Sequence, residues 1–496
     1  MKKNQGSSCG ILSGGLGPLI REAHVNARGE IEVLARPANL SKVLSFLQAH
    51  PECGFSRFVG IFVDSRKTEG AVDGFSLSYL LRGDDEKNFC RIRVMVDAGD
   101  ILPSSSRVVP GALWSERLAW DFFGIPFSGH PDLRNALHSR IEVGPAGNRG
   151  ENVLVIGPKH KGMGFSVLLQ LHLEGEVVRR LVVHPGGSLP RMECTLEDVM
   201  PIGHAAGGGQ SGFFVRLACA RAVESLACVK LSVPVCRRRV MLSEMARILA
   251  HLRAIAEMNE ILEQSKAAEL ARNARDKLLP VFLRHQAGVV AGGVSTAFLD
   301  EDREALLDFC QRFSDIPERL EQVSPFLRLR MAGIGVLSGN EAMEMGCSGP
   351  VLRAAGIMHD LRQEDADYAG LPMEIVCGRS GDSQSRHLVR AAELDVSLKI
   401  VQACLSGMDG EEPASLEDLP EKFPEGEVYE AVESAQGEVG AHVFSRGGEG
   451  SGLVLRLRIP TGFHLSALPA LVEGHMVDDV GVIMASLGLG GSGSQP

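Results

Sequence analysis

A chain of 496 residues is longer than one hydrophobic core usually supports, so at least two domains are expected. Hydrophobic residues make up 44% and charged residues 23%, a globular balance that excludes a disordered or fibrous chain. The net charge of -11 excludes general nucleic-acid binding, which needs a basic surface to displace counterions.

No apolar run approaches the roughly 20 residues that span a bilayer, and "MKKNQGSSCGILSGG" starts basic without an apolar core, so neither a spanning helix nor a secretion signal is expected. None of the eleven cysteines forms a C-x-x-C, and the closest pair, Cys228 and Cys236, is eight residues apart. Metal sites built on thiolates usually use short-spaced pairs, so these are read as mostly buried free thiols, with no metal held by this chain.

Residues 1–28 read as a tail. From 29 to 140 the pattern is α/β: strands "EIEVLA" (30–35), "FVGIFVD" (58–64), "FSLSYLL" (75–81) and "CRIRVMVD" (90–97), with the amphipathic helix "NLSKVLSFLQAH" (39–50) after the first. "WSERLAWDFFGIPFSGHPDLR" (114–134) follows and holds both tryptophans of the chain, in a run too mixed for a plain core element. The glycine-rich, polar stretch 141–152 is the predicted linker.

The second unit, 153–487, opens with strands "VLVIG", "FSVLLQLHLEG" and "EVVRRLVVH". Helices are expected from about 212 to 410. The clearest covers 234–278, where Met241, Met245, Ile248, Leu252, Ile255 and Leu262 recur at helical steps. Glu244, Arg247 and His251 form a polar line beside that stripe, read either as titratable groups coupling protonation to movement or as a hydrogen-bonded seam between helices. "CRRR" (236–239) reads as a solvated helix start or a partner contact. An acidic, proline-bearing linker (407–426), strands "EVYEAVES" and "LVLRLRIP", a last helix over 464–485 and a flexible tail (488–496) complete the chain. The tail's G-x-G-x-x-G lacks a strand-to-helix unit and is read as chance. The fold class is therefore α+β: an α/β domain followed by a mainly helical domain with flanking strands.

Trp114, Glu116, Arg117, Asp121, Gly124, Ile125, Gly129, His130, Pro131, Asp132, Leu133 and Arg134 resemble the signature of the C subunit of bacterial NADH–quinone oxidoreductase (complex I), shared with energy-converting hydrogenase large subunits. Acids and arginines so placed satisfy one another and fix a segment against a neighbour. Trp114, Glu116, Arg117, Asp121, His130, Asp132 and Arg134 are thus expected to dock another subunit, or else to form a self-contained corner.

The remainder resembles the D subunit of the same enzyme, a relative of nickel–iron hydrogenase large subunits, through Gly157–His160, Ser243–Leu252, Gly349–Gly356, Asp360 with Arg362, Gly381–Arg390, Gly426–Glu433, Gly437–Gly440 and Gly474–Asp479. Both C-x-x-C pairs of the hydrogenases are absent, so no nickel is expected. The quinone-reducing relatives place a second histidine after "G-P-x-H" and a tyrosine further on. Here Gly164 stands at that histidine and Glu197 near that tyrosine, while His160 remains.

Each unpaired carbonyl of a bound headgroup costs roughly 1–3 kcal/mol. The candidate cavity residues are His160, Lys161, Gly164, Arg191, Glu197 and His204, with His184 from the same hairpins. The resemblance implies a peripheral-arm subunit on the cytoplasmic side of the membrane, with a quinone as possible substrate. It binds no cofactor itself and sits beside a small iron–sulfur subunit that carries the cluster. A ferredoxin-like subunit and membrane-arm subunits complete the expected assembly. The alternative is a non-catalytic scaffold and coupling subunit.

Overall fold

The computed structural model describes residues 14–26, 28–50, 53–68, 71–83, 88–134, 152–156, 167–185, 193–194, 210–286, 300–321, 325–407, 419–420, 422–449 and 453–489. The N-terminal part forms a five-stranded sheet from β1 (Ile20–Val25), β2 (Ile31–Ala35), β3 (Arg57–Thr68), β4 (Ala71–Arg82) and β5 (Phe89–Asp97), in the order β1-β2-β5-β4-β3. Only β2 and β5 run parallel, because α1 (Leu40–Ala49) lies on the crossover that begins after β2 and buries Leu40, Val43, Leu44 and Leu47 at helical steps. Strand β1 falls inside the expected tail. Its side chains are mostly exposed, so backbone pairing with β2 holds it and no hydrophobic alternation announces it.

The tryptophan stretch forms α2 (Ala112–Phe123), stopped by Gly124 in the left-handed conformation at φ 69°. Beyond it, β7 (Phe127–Ser128) pairs with β6 (Leu102–Pro103), which precedes the helix. The second unit opens on the antiparallel sheet β10-β9-β8, from β8 (Asn152–Ile156), β9 (Val167–Glu174) and β10 (Val177–Pro185). A later sheet has the order β11-β14-β13-β12, from β11 (Glu193–Cys194), β12 (Lys422–Ser434), β13 (Gly437–Glu449) and β14 (Leu453–Arg458). The central strand β13 is absent from the sequence reading: histidine, serine and glycines interrupt its apolar alternation, although Ala441 and Val443 are fully buried.

The helices are α3 (Gln210–Ala227), α4 (Val233–Ile261), α5 (Ser265–His285), α6 (Asp300–Arg312), α7 (Ile316–Glu321), α8 (Pro325–Met331), α9 (Gly339–Glu344), α10 (Pro350–Ala354), α11 (Ser383–Ser406), α12 (Pro460–Val472) and α13 (Val477–Ser486). The single helix expected over 234–278 is two. Glu263 turns to φ 59°, and the Gln264 N–H reaches back to the Asn259 carbonyl at 2.7 Å, closing α4 before α5 begins. The last helix also divides, at Gly474 with φ 89°. The first residues of the expected tail are ordered: Leu489 is buried and its N–H bonds the Met484 carbonyl.

Two cores result. One joins the N-terminal sheet to β9, β10, α12 and α13, so it crosses the linker. The other fills the space among α3–α6, α11 and the β12–β14 sheet. The predicted basic start of α4 is partly internal. Arg239 forms a buried two-pronged pair with Glu224, at 2.5 and 2.7 Å.

Candidate functional site

The helical register of α2 turns Trp114, Glu116 and Arg117 inward. Trp114 lies against Gly462 at the start of α12, where any β-carbon would run into the indole. Glu116 accepts from the Ser104 hydroxyl (2.6 Å), the Ser105 hydroxyl (2.6 Å) and the Ser105 N–H (2.7 Å). Burial raises its carboxyl above the usual range, and those three donors only partly offset the shift.

Arg117 donates to the Arg134 carbonyl at 3.1 Å and stands 3.6 Å from Asp132. His130 donates through Nε2 to the Leu113 carbonyl (3.1 Å), leaving Nδ1 to accept the Asp132 N–H (3.0 Å). Arg134 grips Asp132 with both prongs and reaches His184 on β10 at 3.2 Å. The neighbour that Trp114 and Arg134 meet is therefore the second half of the same chain, and Glu116 is satisfied inside its own corner. Asp132 and Arg134 keep partial exposure, and Asp121 is half-buried.

The polar line on α4 lies wholly inside. Glu244 accepts from Tyr368 (2.6 Å), Ser397 (2.6 Å) and Arg362 (3.1 Å), with Arg247 at 3.4 Å. Burial opposes its charge, but Arg362, Arg247 and the two hydroxyls outweigh that and hold its carboxyl below the usual range. Arg247 also donates to the Ser434 and Glu433 carbonyls of β12. His251 meets Glu393 of α11 at 2.8 Å. Burial nevertheless pushes the imidazole down to about 4, so at neutral pH it is the uncharged donor to an ionised carboxylate.

Arg353 on α10 completes the seam, donating to Glu393 through Nε at 2.8 Å and to Glu433 through Nη1 at 2.8 Å. The side chain of Arg362 clasps Asp360 at 3.0 and 2.7 Å. Four elements distant in sequence are thus tied by charges that cannot leave without stranding a partner.

Asp360, Arg353 and Glu433 sit within motifs visible in the sequence, but their convergence on the α4 line is not. Glu393 and Ser397 escape the sequence reading, though Arg386, Arg390, Glu393 and Ser397 mark one polar stripe along α11.

A second charged layer joins the two halves. Arg91 of β5 meets Glu30 (3.1 Å), Glu427 (3.2 Å) and His442 (2.9 Å). Arg82 and Tyr429 both donate to Glu438 at 2.6 Å. Arg456 and Arg458 of β14 donate to the Val63 and Val59 carbonyls of β3. Sequence reasoning misses this layer because Arg91 alternates with buried Cys90 and Ile92 and so reads as solvent-facing. Both faces of the strand are covered.

His160, Lys161, Gly164, Arg191, Glu197 and His204 lie outside the described residues, in the segments between β8 and β9 and between β10 and α3. Among the described residues, no three His, Cys, Asp or Glu side chains converge as a metal site. No helix there is long and apolar enough to cross a membrane.

Residues 33–145 match the family described as respiratory-chain NADH dehydrogenase, 30 Kd subunit; 283–421 and 419–492 match the 49 Kd subunit. The D subunit of NADH-quinone oxidoreductase from Campylobacter concisus is 29% identical over 383 residues, covering 68% of this chain and 93% of that protein. Its counterpart from Orientia tsutsugamushi is 30% identical over 389 residues, covering 67% and 94%.

Among solved structures, a chain of the membrane-bound sulfane sulfur reductase, an archaeal respiratory membrane complex, is 25% identical with a TM-score of 0.62, covering 68% of this chain and 96% of that one. The class is that of complex I-like subunits of membrane-bound oxidoreductases. Within it, this chain belongs to the family of NADH–quinone oxidoreductase D subunits, with a C-type (30 Kd) domain fused ahead of the D-type (49 Kd) region.

Proposed function

We propose that the chain is a peripheral-arm subunit on the cytoplasmic side of the membrane. With a small iron–sulfur subunit it encloses the cavity that receives electrons from that partner's cluster, in NADH–quinone oxidoreductase-type transfer coupled to ion translocation. The observation that supports this best is the fusion itself: a C-like and a D-like half in one chain, locked by buried ion pairs such as Arg91–Glu427 and Arg82–Glu438. Charges so deeply paired hold two docking halves in one orientation, which suits a rigid seat for further subunits. NADH oxidation would fall to other subunits, with a ferredoxin-like subunit and membrane-arm subunits completing the assembly.

His160, Lys161, Arg191, Glu197 and His204 are the candidates for orienting an acceptor, and Gly164 marks the lost histidine. That loss favours a second reading, a scaffold without a substrate of its own.

Purification of the tagged full chain from membranes tests both. The proposal expects an iron–sulfur subunit to accompany it, with a cluster signal in electron paramagnetic resonance. Quinone reduction should fall at least tenfold in His160→Ala and stay unchanged in His24→Ala, an exposed residue of β1. Intact assembly with reduction indifferent to His160 supports the scaffold. Recovery of the chain alone overturns both.

A further inference from the structure

The seam holds more carboxylates than guanidiniums that pair with them. Glu244, Asp360, Glu393 and Glu433 supply four carboxylates, against the guanidiniums of Arg247, Arg353 and Arg362, and all seven side chains are buried. Arg362 serves Glu244 and Asp360, while Arg353 is shared among Glu393 (2.7 Å), Glu433 (2.8 Å) and Asp360 (3.3 Å). Arg247 gives two of its donors to backbone carbonyls. Of the next arginines along α11, Arg386 donates to Ser486, Gly381, Gly335 and Ser383, while Arg390 donates to the Arg386 and Ser486 carbonyls and adds its charge near Glu393 without bonding it. Three guanidiniums pair directly with four carboxylates, so the acid with the fewest donors is the one a bound proton relieves in this low-dielectric interior.

Two groups are placed to take it. His251 faces Glu393, but Arg247 and Arg390 stand beside it and add to the burial that keeps it neutral. Glu433 differs. Its Oε1 accepts from Arg353, while among the described residues its Oε2 meets only the distant Leu361 N–H at 3.5 Å. Asp360 repels its charge, and Arg353 and Arg247 favour it. Across the β12–β13 pair lies Glu438, which keeps its own partner in Arg82. Burial and Asp360 prevail over the arginines, pushing the Glu433 carboxyl up to about 7.

We propose that the seam binds one exchangeable proton, on the Glu433 carboxyl, reached from solvent through the cavity lined by Phe214, Arg221, Ser243, Asp365, Tyr368 and Glu433. Arg221 and Asp365 at its rim are partly exposed, which opens the route. With the proton bound, Arg353 serves chiefly Glu393 and Asp360. With it released to solvent, Arg353 becomes a hub for three anions and draws α10, α11 and β12 together. This site is independent of the electron-transfer reading and stands if that reading fails.

Infrared difference spectra of the full chain between pH 5.5 and 8.5 test it. Wild type should lose one buried acid carbonyl band with a midpoint near 7, and Glu433→Gln should lack that band. A wild-type spectrum without a titrating acid carbonyl, or a band that survives Glu433→Gln, overturns the proposal. Burial also raises Glu116 and Glu430, so a Glu116→Gln, Glu430→Gln double variant serves if Glu433→Gln does not fold. The band should persist there, and its disappearance assigns the proton elsewhere.

Discussion

Glu116 in the α2 corner and Glu244 in the α4 seam are both fully buried helix residues with every oxygen engaged. Glu116 is met by two serine hydroxyls and an N–H, and burial raises its carboxyl. Glu244 is met by Tyr368, Ser397 and two arginines, and its carboxyl is lowered. Neutral donors satisfy lone pairs without balancing the charge. Glu116 can therefore give up its ionisation cheaply, while Glu244 cannot, because its charge also stabilises two arginines.

The sharpest way to break this contrast is at the seam's hub. Arg353→Ala leaves Glu393, Asp360 and Glu433 without their common cation. A loss of about 3–5 kcal/mol is expected in urea unfolding monitored by circular dichroism. A loss under about 1 kcal/mol would mean that the acids are largely protonated already.

The two glutamates themselves give a paired test. Glu244→Gln removes the charge that faces Arg362 and Arg247, which keep Asp360 and backbone carbonyls as other acceptors, and should cost roughly 3 kcal/mol. Glu116→Gln keeps an acceptor for the serines and should cost at most about 1 kcal/mol near neutral pH. Equal losses would remove the distinction between the regions.

Gly462→Ala probes the corner by packing alone. The added methyl meets the Trp114 indole, so about 1–3 kcal/mol of overpacking is expected. The strain should relax in a Gly462→Ala, Trp114→Phe double variant, where the six-membered ring leaves room. Failure of the second change to rescue the first would place the cost in the α12 backbone.

Much of the frame is legible in the sequence. Residues 40–49 repeat leucines and valine at helical steps, and β9 and β10 are apolar runs around a Gly-bearing turn, so local pattern and tertiary burial agree. Strand β1 is hidden because pairing, not side-chain burial, holds it, and β13 because its centre carries His442 and Ser445. The α4–α5 break depends on one backbone angle at Glu263, which no periodicity reveals.

At the site, Glu244, Arg247 and His251 can be placed on one helix face from spacing alone. Their partners cannot, since Arg353, Glu393 and Glu433 lie about 100 to 190 residues away and only packing unites them. The α2 stretch reads from its motif as a docking segment; that its neighbour is the same chain follows from the indole's seat on Gly462.

Proton linkage within the seam gives a pH-dependent effect. His251 is pushed down to about 4 by burial, so the unfolded chain takes up a proton near pH 6.5 that the folded chain refuses. Stability from this group is full above pH 6.5 and is lost as pH falls towards 4. Glu433, raised to about 7, works in the opposite direction. The folded chain keeps its proton while the unfolded chain gives it up near pH 4.5, so its contribution is lost as pH rises from 4.5 to 7. Between pH 4.5 and 6.5 the two slopes oppose each other and the wild-type profile should be nearly flat there with respect to these groups. His251→Gln preserves a donor for Glu393 and removes only the first slope. Urea midpoints of this variant should decline from pH 5 to pH 7 relative to wild type. Parallel profiles would show that His251 titrates alike in the folded and unfolded chains, and the seam would then lack its buried neutral imidazole.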